Sequence, residues 1–123
     1  MKSTYFKIAK RASKKSNHHT HHIGAVIVKG NRIVGIGYNQ LKTHPKSYHD
    51  WGYLHAETKA ILDTPKHLIK DSVIYLYREN KKGEALSKPC KYCEQMLKDY
   101  GVSTVYFTVA KNEYGALELN EFP

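Results

Sequence analysis

Four residues in two short motifs have the types and spacing for joint chemistry. They are His55 and Glu57 in His55-Ala56-Glu57, and Cys90 and Cys93 in Pro89-Cys90-Lys91-Tyr92-Cys93. One imidazole and two thiolates make a three-ligand set for zinc that leaves the ion's fourth position open to water. A structural zinc would want a fourth ligand, and there is no third cysteine. Cys90 and Cys93 stand at i and i+3, so a helix beginning at Cys90 presents both from one face. Its N-terminus would favour the thiolates that a metal requires. Glu57, two residues from His55, can sit beside the ion without binding it. Zinc acidifies its bound water, and a nearby carboxylate can take the proton and later deliver it. Taken alone, Cys90 and Cys93 also read as a redox pair or as buried cysteines.

The surrounding elements must position these groups. Tyr5, Ile8, Ala9 and Ala12 fall at i, i+3, i+4 and i+7, which predicts an amphipathic first helix with Ser3 or Thr4 as its cap. Gly24 to Val28 (GAVIV) reads as a buried strand and Ile33 to Tyr38 (IVGIGY) as a second, joined by the turn Lys29-Gly30-Asn31-Arg32. Residues 39–54 read as a long loop, of the kind that is often functional. His55 to Asp63 reads as a helix ended by Pro65, and Val73 to Tyr77 (VIYLY) as a third strand. A charged loop, 78–88, leads to a helix from Cys90 to Tyr100 whose face is Cys93, Met96, Leu97 and Tyr100, capped by Gly101. Thr104 to Thr108 (TVYFT) is a fourth strand. The tail from Lys111 reads equally as a short helix or a strand. The order predicts one α/β domain over residues 1–123, a hairpin followed by crossovers that make later strand pairs parallel.

Composition narrows the function classes. No apolar run approaches the roughly 18 residues of a membrane span. The first residues lack the apolar stretch of a secretory signal, so we expect a cytoplasmic protein with no membrane partner. The net charge is +9, and no acidic residue precedes Asp50. That basic first half reads either as a solubilising surface or as a phosphate-attracting face. The run His18-His19-Thr20-His21-His22 reads as a native surface loop, with adventitious metal binding or a place in the site wall as alternatives. Tyr48, Trp51 and Tyr53 are either core or a stacking wall for a base. His44 and His49 read as polar surface, with a contact of one of them to the base as the alternative.

The joint motif H-A-E followed by P-C-x-x-C resembles the signature of the zinc nucleobase deaminases of the cytidine/deoxycytidylate deaminase superfamily. The resemblance extends to Gly24-Ala25-Val26-Ile27-Val28, Gly37-Tyr38-Asn39 and Gly101 to Tyr106, and covers roughly residues 1–108. It implies a cytidine-deaminase-like three-layer α/β/α sandwich with a central mixed sheet of four to five strands. It implies Zn2+ on His55, Cys90 and Cys93, with Glu57 as the proton shuttle. A zinc-bound hydroxide then attacks the ring carbon bearing the amino group, and ammonia leaves. Substrate contacts fall to Asn39, Ala56 and Pro89. Asn39 would hydrogen-bond the sugar or base, and backbone around Ala56 and Cys90 would read the base edge. Asn39 also reads simply as a turn residue ending a strand. The resemblance further implies a homo-oligomer.

Some features depart from the family. Lys88 stands where the tRNA adenosine deaminases typically carry Glu. The segment 79–88 is longer and more charged than the usual turn, and the chain is shorter than most deoxycytidylate deaminases. Ser87-Lys88-Pro89-Cys90 is similar to poorly characterised, often viral, members. The leading expectation is a dCMP- or CMP-type deaminase acting on a free nucleotide or nucleoside. The alternatives are a deaminase of single-stranded DNA or RNA and a non-catalytic zinc-stabilised nucleic-acid-binding module. Glu57 speaks against the last, since a structural zinc does not need it.

Overall fold

A computed structural model of the chain describes residues 2–17, 21–40 and 55–119. The elements are α1 (Ser3–Ser13), β1 (His22–Lys29), β2 (Arg32–Tyr38), α2 (Ala56–Leu62), α3 (Lys66–Ile69), β3 (Val73–Asn80), β4 (Gly83–Glu84), α4 (Lys91–Asp99), β5 (Thr104–Ala110) and β6 (Glu113–Glu118). Among these residues no helix is long and apolar enough to cross a membrane.

The strands form one mixed sheet in the order β2-β1-β3-β5-β6, with the two-residue β4 paired to β3. β1 and β2 make the expected antiparallel hairpin, and Gly30 and Asn31 take positive φ in its turn. β3 then lies antiparallel to β1, and β5 parallel to β3 across α4. Parallel pairing therefore begins one strand later than the crossover expectation. The chain leaving α2 places β3 beside β1 rather than β2, and β1 runs the opposite way.

Alternation along each strand separates two cores. Val26, Val28, Tyr75 and Tyr77 face α1 and pack with Phe6 and Ala9. Ala25, Ile27, Ile74, Leu76, Val105 and Phe107 face the other way, onto Ala56, Ala60, Ile61, Met96 and Leu97 of α2 and α4. The result is three layers, with the sheet between α1 and the pair α2, α4. β1 reads as an unbroken apolar run because both of its faces are covered.

Several elements differ from expectation. The buried stripe of α1 is Phe6, Ala9, Ala12 and Ser13. Tyr5 and Ile8 lie at its margin, only partly buried. The packed face is thus rotated by about one residue, and Ser13 is tolerated there because its hydroxyl donates to the Lys10 carbonyl. The N-cap is Lys2, with no side-chain cap bond, rather than Ser3 or Thr4. The charged segment 78–88 is not all loop. β3 continues to Asn80 and turns back into β4, pairing Glu79 with Glu84. A four-residue helix, α3, follows Pro65. The tail forms strand β6 beside β5; its alternating half-exposed pattern is that of an edge strand. The long loop's Tyr48, Trp51, Tyr53, His44 and His49, and His18 and His19 of the histidine run, lie outside the described residues.

One close approach sets the position of α2. A Cβ on Gly37 of β2 would collide with the Ala56 carbonyl oxygen and the Ala60 backbone nitrogen. Both are backbone atoms, so relief requires moving the helix. Gly37→Ala should push α2 off the sheet and cost roughly 1–3 kcal/mol as overpacking. A lowered melting temperature together with weakened zinc uptake is the expected result, read by thermal denaturation and metal titration.

Candidate functional site

The helix starts carry the site. His55 occupies the N-cap position of α2, and Glu57 lies in its first turn. Cys90 occupies the N-cap position of α4, and Cys93 projects from that helix's first turn. Two helix N-termini thus meet on the same side of the sheet, where their partial positive charge favours thiolate.

The structure brings the expected residues together. The ligand atoms of His55, Cys90 and Cys93 all lie within 4.8 Å of one another. The Cys93 Sγ stands 3.4 Å from His55 Nδ1. A tetrahedral zinc with ordinary bond lengths sets a sulfur and a nitrogen about 3.5 Å apart. The donor set therefore fits zinc in chemistry and in spacing, and it supplies three protein ligands.

Glu57 is buried, at 5% exposure, beside this set. Burial is the main cause that pushes its carboxyl up to about 7, and the Cys90 charge adds to the rise. Its own backbone N–H and a hydrogen bond from Cys93 pull the other way. A carboxyl poised there can both accept and release a proton near neutrality. The Cys93 thiol is pushed well up, by its hydrogen bond with Cys90 first and by burial second. A metal must displace that proton to bind.

A cleft of about 180 Å³ opens onto His55, Glu57 and Cys90. Ile23, Arg78, Leu86, Ser87 and Lys88 complete its wall. Ser87 fixes the approach to Pro89 and Cys90. Its hydroxyl donates to the Leu76 carbonyl at 2.8 Å and accepts from the Thr108 N–H at 2.8 Å. Its own N–H donates to the Thr108 carbonyl at 2.9 Å. The chain before the first cysteine is thereby tied to both β3 and β5.

The remaining expected contacts stand further back. Ala56 and Pro89 are buried next to the ligands in sequence. Asn39 is 1% exposed. Its Oδ1 accepts from the Ile23 N–H at 3.0 Å, and its Nδ2 donates to the His21 carbonyl at 2.9 Å. These contacts match the strand-ending reading of Asn39; it clamps the start of β1 behind Ile23. Arg78 was not anticipated at all. It closes an apolar strand run, and the only sequence signal was a charge placed directly after VIYLY. The end of the histidine run does reach the cleft wall, because Arg78 Nη2 donates to His21 Nδ1 at 2.7 Å.

A mixed sheet with two helix starts converging on a His/Cys/Cys set beside a buried carboxyl defines the zinc deaminase class of α/β proteins. The chain belongs to the family described as cytidine and deoxycytidylate deaminase zinc-binding region, which matches residues 1–109. It is similar to the apo crystal structure of dCMP deaminase from the cyanophage S-TIM5, with 28% identity, a TM-score of 0.66, and coverage of 87% of this chain and 84% of that one. That enzyme is also known in complex with dCMP and dUMP, a structure aligned at 24% identity over 87% of this chain and 82% of that one, with a TM-score of 0.63. The fold is shared too with cytidine deaminase from Burkholderia pseudomallei, at 16% identity, a TM-score of 0.69, and coverage of 97% and 93%. No curated protein matches the chain.

The Ser87 ties suggest a direct test. Ser87→Ala leaves the Leu76 carbonyl and the Thr108 N–H without their buried partner, at a cost of roughly 1–3 kcal/mol. Thermal denaturation of the metal-free protein should register that loss. Zinc titration should show weaker binding as well, because the segment leading to Cys90 is loosened.

Proposed function

We propose that the whole chain acts as one zinc-dependent deaminase domain that hydrolyses the exocyclic amino group of a cytosine nucleotide or nucleoside, most simply of the dCMP or CMP type. The observation that carries this reading is the buried Glu57 beside a donor set of three protein ligands among the described residues, opening onto a cleft. His55, Cys90 and Cys93 would hold the zinc ion, which would supply an acidified water at neutral pH. Glu57 is placed to carry two protons in turn, the first from the attacking water to the ring nitrogen, the second from the hydroxyl added at the ring carbon to the amino group, which leaves as ammonia. Water is consumed and ammonia released, and the cytosine becomes uracil.

The rise of Glu57 to about 7 places both of its states within reach at neutral pH. Asn39, Ala56 and Pro89 remain the residues proposed to meet the substrate, Ala56 through its backbone. Asn39 has one further amide proton beyond the one it gives to His21.

A free nucleotide is favoured over a polymer by the layering. The basic helix α1, with Lys7, Lys10, Arg11 and Lys14, packs on the opposite face of the sheet from α2 and α4. Lys14 is engaged by Glu79 at 3.0 Å. The α1 part of the first-half charge therefore lies away from the zinc ligands.

The purified zinc-loaded protein should be offered dCMP, CMP, deoxycytidine, cytosine and a labelled single-stranded oligonucleotide, with ammonia release and base conversion followed. Turnover of a free cytosine compound is expected; conversion confined to the oligonucleotide would refute the free-nucleotide reading. Glu57→Gln should retain one zinc per chain by metal analysis and lose turnover roughly a hundredfold or more. Full activity in that variant would overturn the proton-shuttle role.

A further inference from the structure

Arg78 is a cation in the wall of the cleft that the reading above leaves without a role. It stands near the end of β3, and its backbone N–H donates to Thr108 Oγ1 at 3.2 Å. The guanidinium is held from two sides. Nη1 donates to the Leu86 carbonyl at 3.2 Å, and Nη2 donates to His21 Nδ1 at 2.7 Å. Both acceptors are uncharged when the imidazole nitrogen accepts. Nε is buried and has no hydrogen-bond partner among the described residues. Among those same residues no carboxylate pairs with Arg78. Arg78 as a whole is half-buried, but its oriented guanidinium has a buried Nε donor left over and no counter-ion, which an anion in the cleft would complete.

The same cleft wall carries Lys88, which is exposed. Arg78 supplies a planar fork, fixed in orientation, and Lys88 a mobile point charge. That combination suits a dianionic phosphate, for which the fork matches two oxygens. The basic residues of α1 lie on the other face of the sheet, so among the described residues the positive charge at the cleft does not continue into α1 as a track for a polymer backbone. A single terminal phosphate is what the arrangement can satisfy.

We propose that Arg78, assisted by Lys88, binds the phosphate monoester of the substrate and so selects a cytosine mononucleotide over the nucleoside and the free base. The identity of the attached base rests on the deaminase reading above; the anion site itself does not. Arg78 is thus a specificity-determining residue supplied by β3, directly before the segment 79–88 in which this chain departs from the usual short turn before the cysteines.

The test uses the zinc-loaded protein, with Arg78→Gln and Arg78→Lys beside it. In the parent, dCMP should be turned over with a lower KM than deoxycytidine. Arg78→Gln should raise the KM for dCMP roughly tenfold to a hundredfold more than it raises that for deoxycytidine, the loss expected for a charged hydrogen bond. Arg78→Lys should recover part of the difference, since it keeps the charge but not the fork. Inorganic phosphate, followed by phosphorus NMR line broadening, should bind the parent and bind Arg78→Gln at least tenfold more weakly.

Equal losses on dCMP and deoxycytidine would overturn the proposal and leave Arg78 a merely structural tie. So would phosphate binding that does not depend on Arg78, or Arg78-dependent turnover only of cytosines inside an oligonucleotide. If no cytosine compound is deaminated yet phosphate binding falls in Arg78→Gln, the deaminase reading fails and the anion site stands. If both substrates are turned over without discrimination, the reverse holds. Should Arg78→Gln melt well below the parent, the comparison of parent with Arg78→Lys decides, because the lysine variant preserves the charge and must still weaken phosphate if the fork matters.

Discussion

Three ligand atoms from two distant pieces of chain must come within bonding range of one ion. Cys93 and His55 are 38 positions apart in sequence, yet their ligand atoms stand 3.4 Å from each other. Nothing local to either motif can impose that distance. It follows from seating two helix starts on neighbouring parts of one sheet. For α2, the seat is the bare backbone at Gly37, where the Ala56 carbonyl lies too close for any side chain. For α4, it is Ser87, tied to Leu76 and Thr108 on adjacent parallel strands. The sheet acts as a ruler, and the ligand geometry is its reading.

The same seating explains the electrostatics. Helix N-termini point their unpaired amides at the site, which favours the thiolate form of cysteine. The core that holds α2 and α4 is closely packed around Ala56, Ala60, Met96 and Leu97, all but excluded from water. Glu57 emerges from that packed layer, so its carboxyl is desolvated and pushed up to about 7. Packing thus does two tasks at once: it fixes the ligands and tunes the acid beside them. A carboxyl at the same spacing on an exposed helix would hold its ordinary value and would be ionised throughout the neutral range.

The layering also separates roles that charge counting merges. The net charge of +9 suggests one basic face. Among the described residues the fold sets cations on both sides of the sheet. Those of α1 lie across from the candidate zinc ligands, with Lys14 engaged by Glu79. Arg78 of β3 and Lys88, just before α4, line the cleft.

By itself the amino-acid sequence determined the zinc-binding family signature and the main elements. His55, Glu57, Cys90 and Cys93 were legible as candidates because metal ligation and proton transfer demand particular residue types at short, local spacings. The hairpin β1–β2, the strands β3 and β5 and the helices α2 and α4 were legible because burial imprints a period on apolar residues. What tertiary structure decided was everything that depends on neighbours distant in sequence. The edge strand β6 carries too weak an alternation to be read. The buried stripe of α1 turned on which strand face it meets, and Phe6 displaced Ile8 at its centre. Asn39 carries no mark in sequence that its Oδ1 and one amide proton would be engaged by the backbone of Ile23 and His21. Arg78 reads as an ordinary strand-end charge until the fold places it over the cleft, because the partners that orient it, His21 and Leu86, lie on other segments. The ligands of a metal can be named from spacing alone; which other groups surround them is set by the close packing of segments that spacing does not relate.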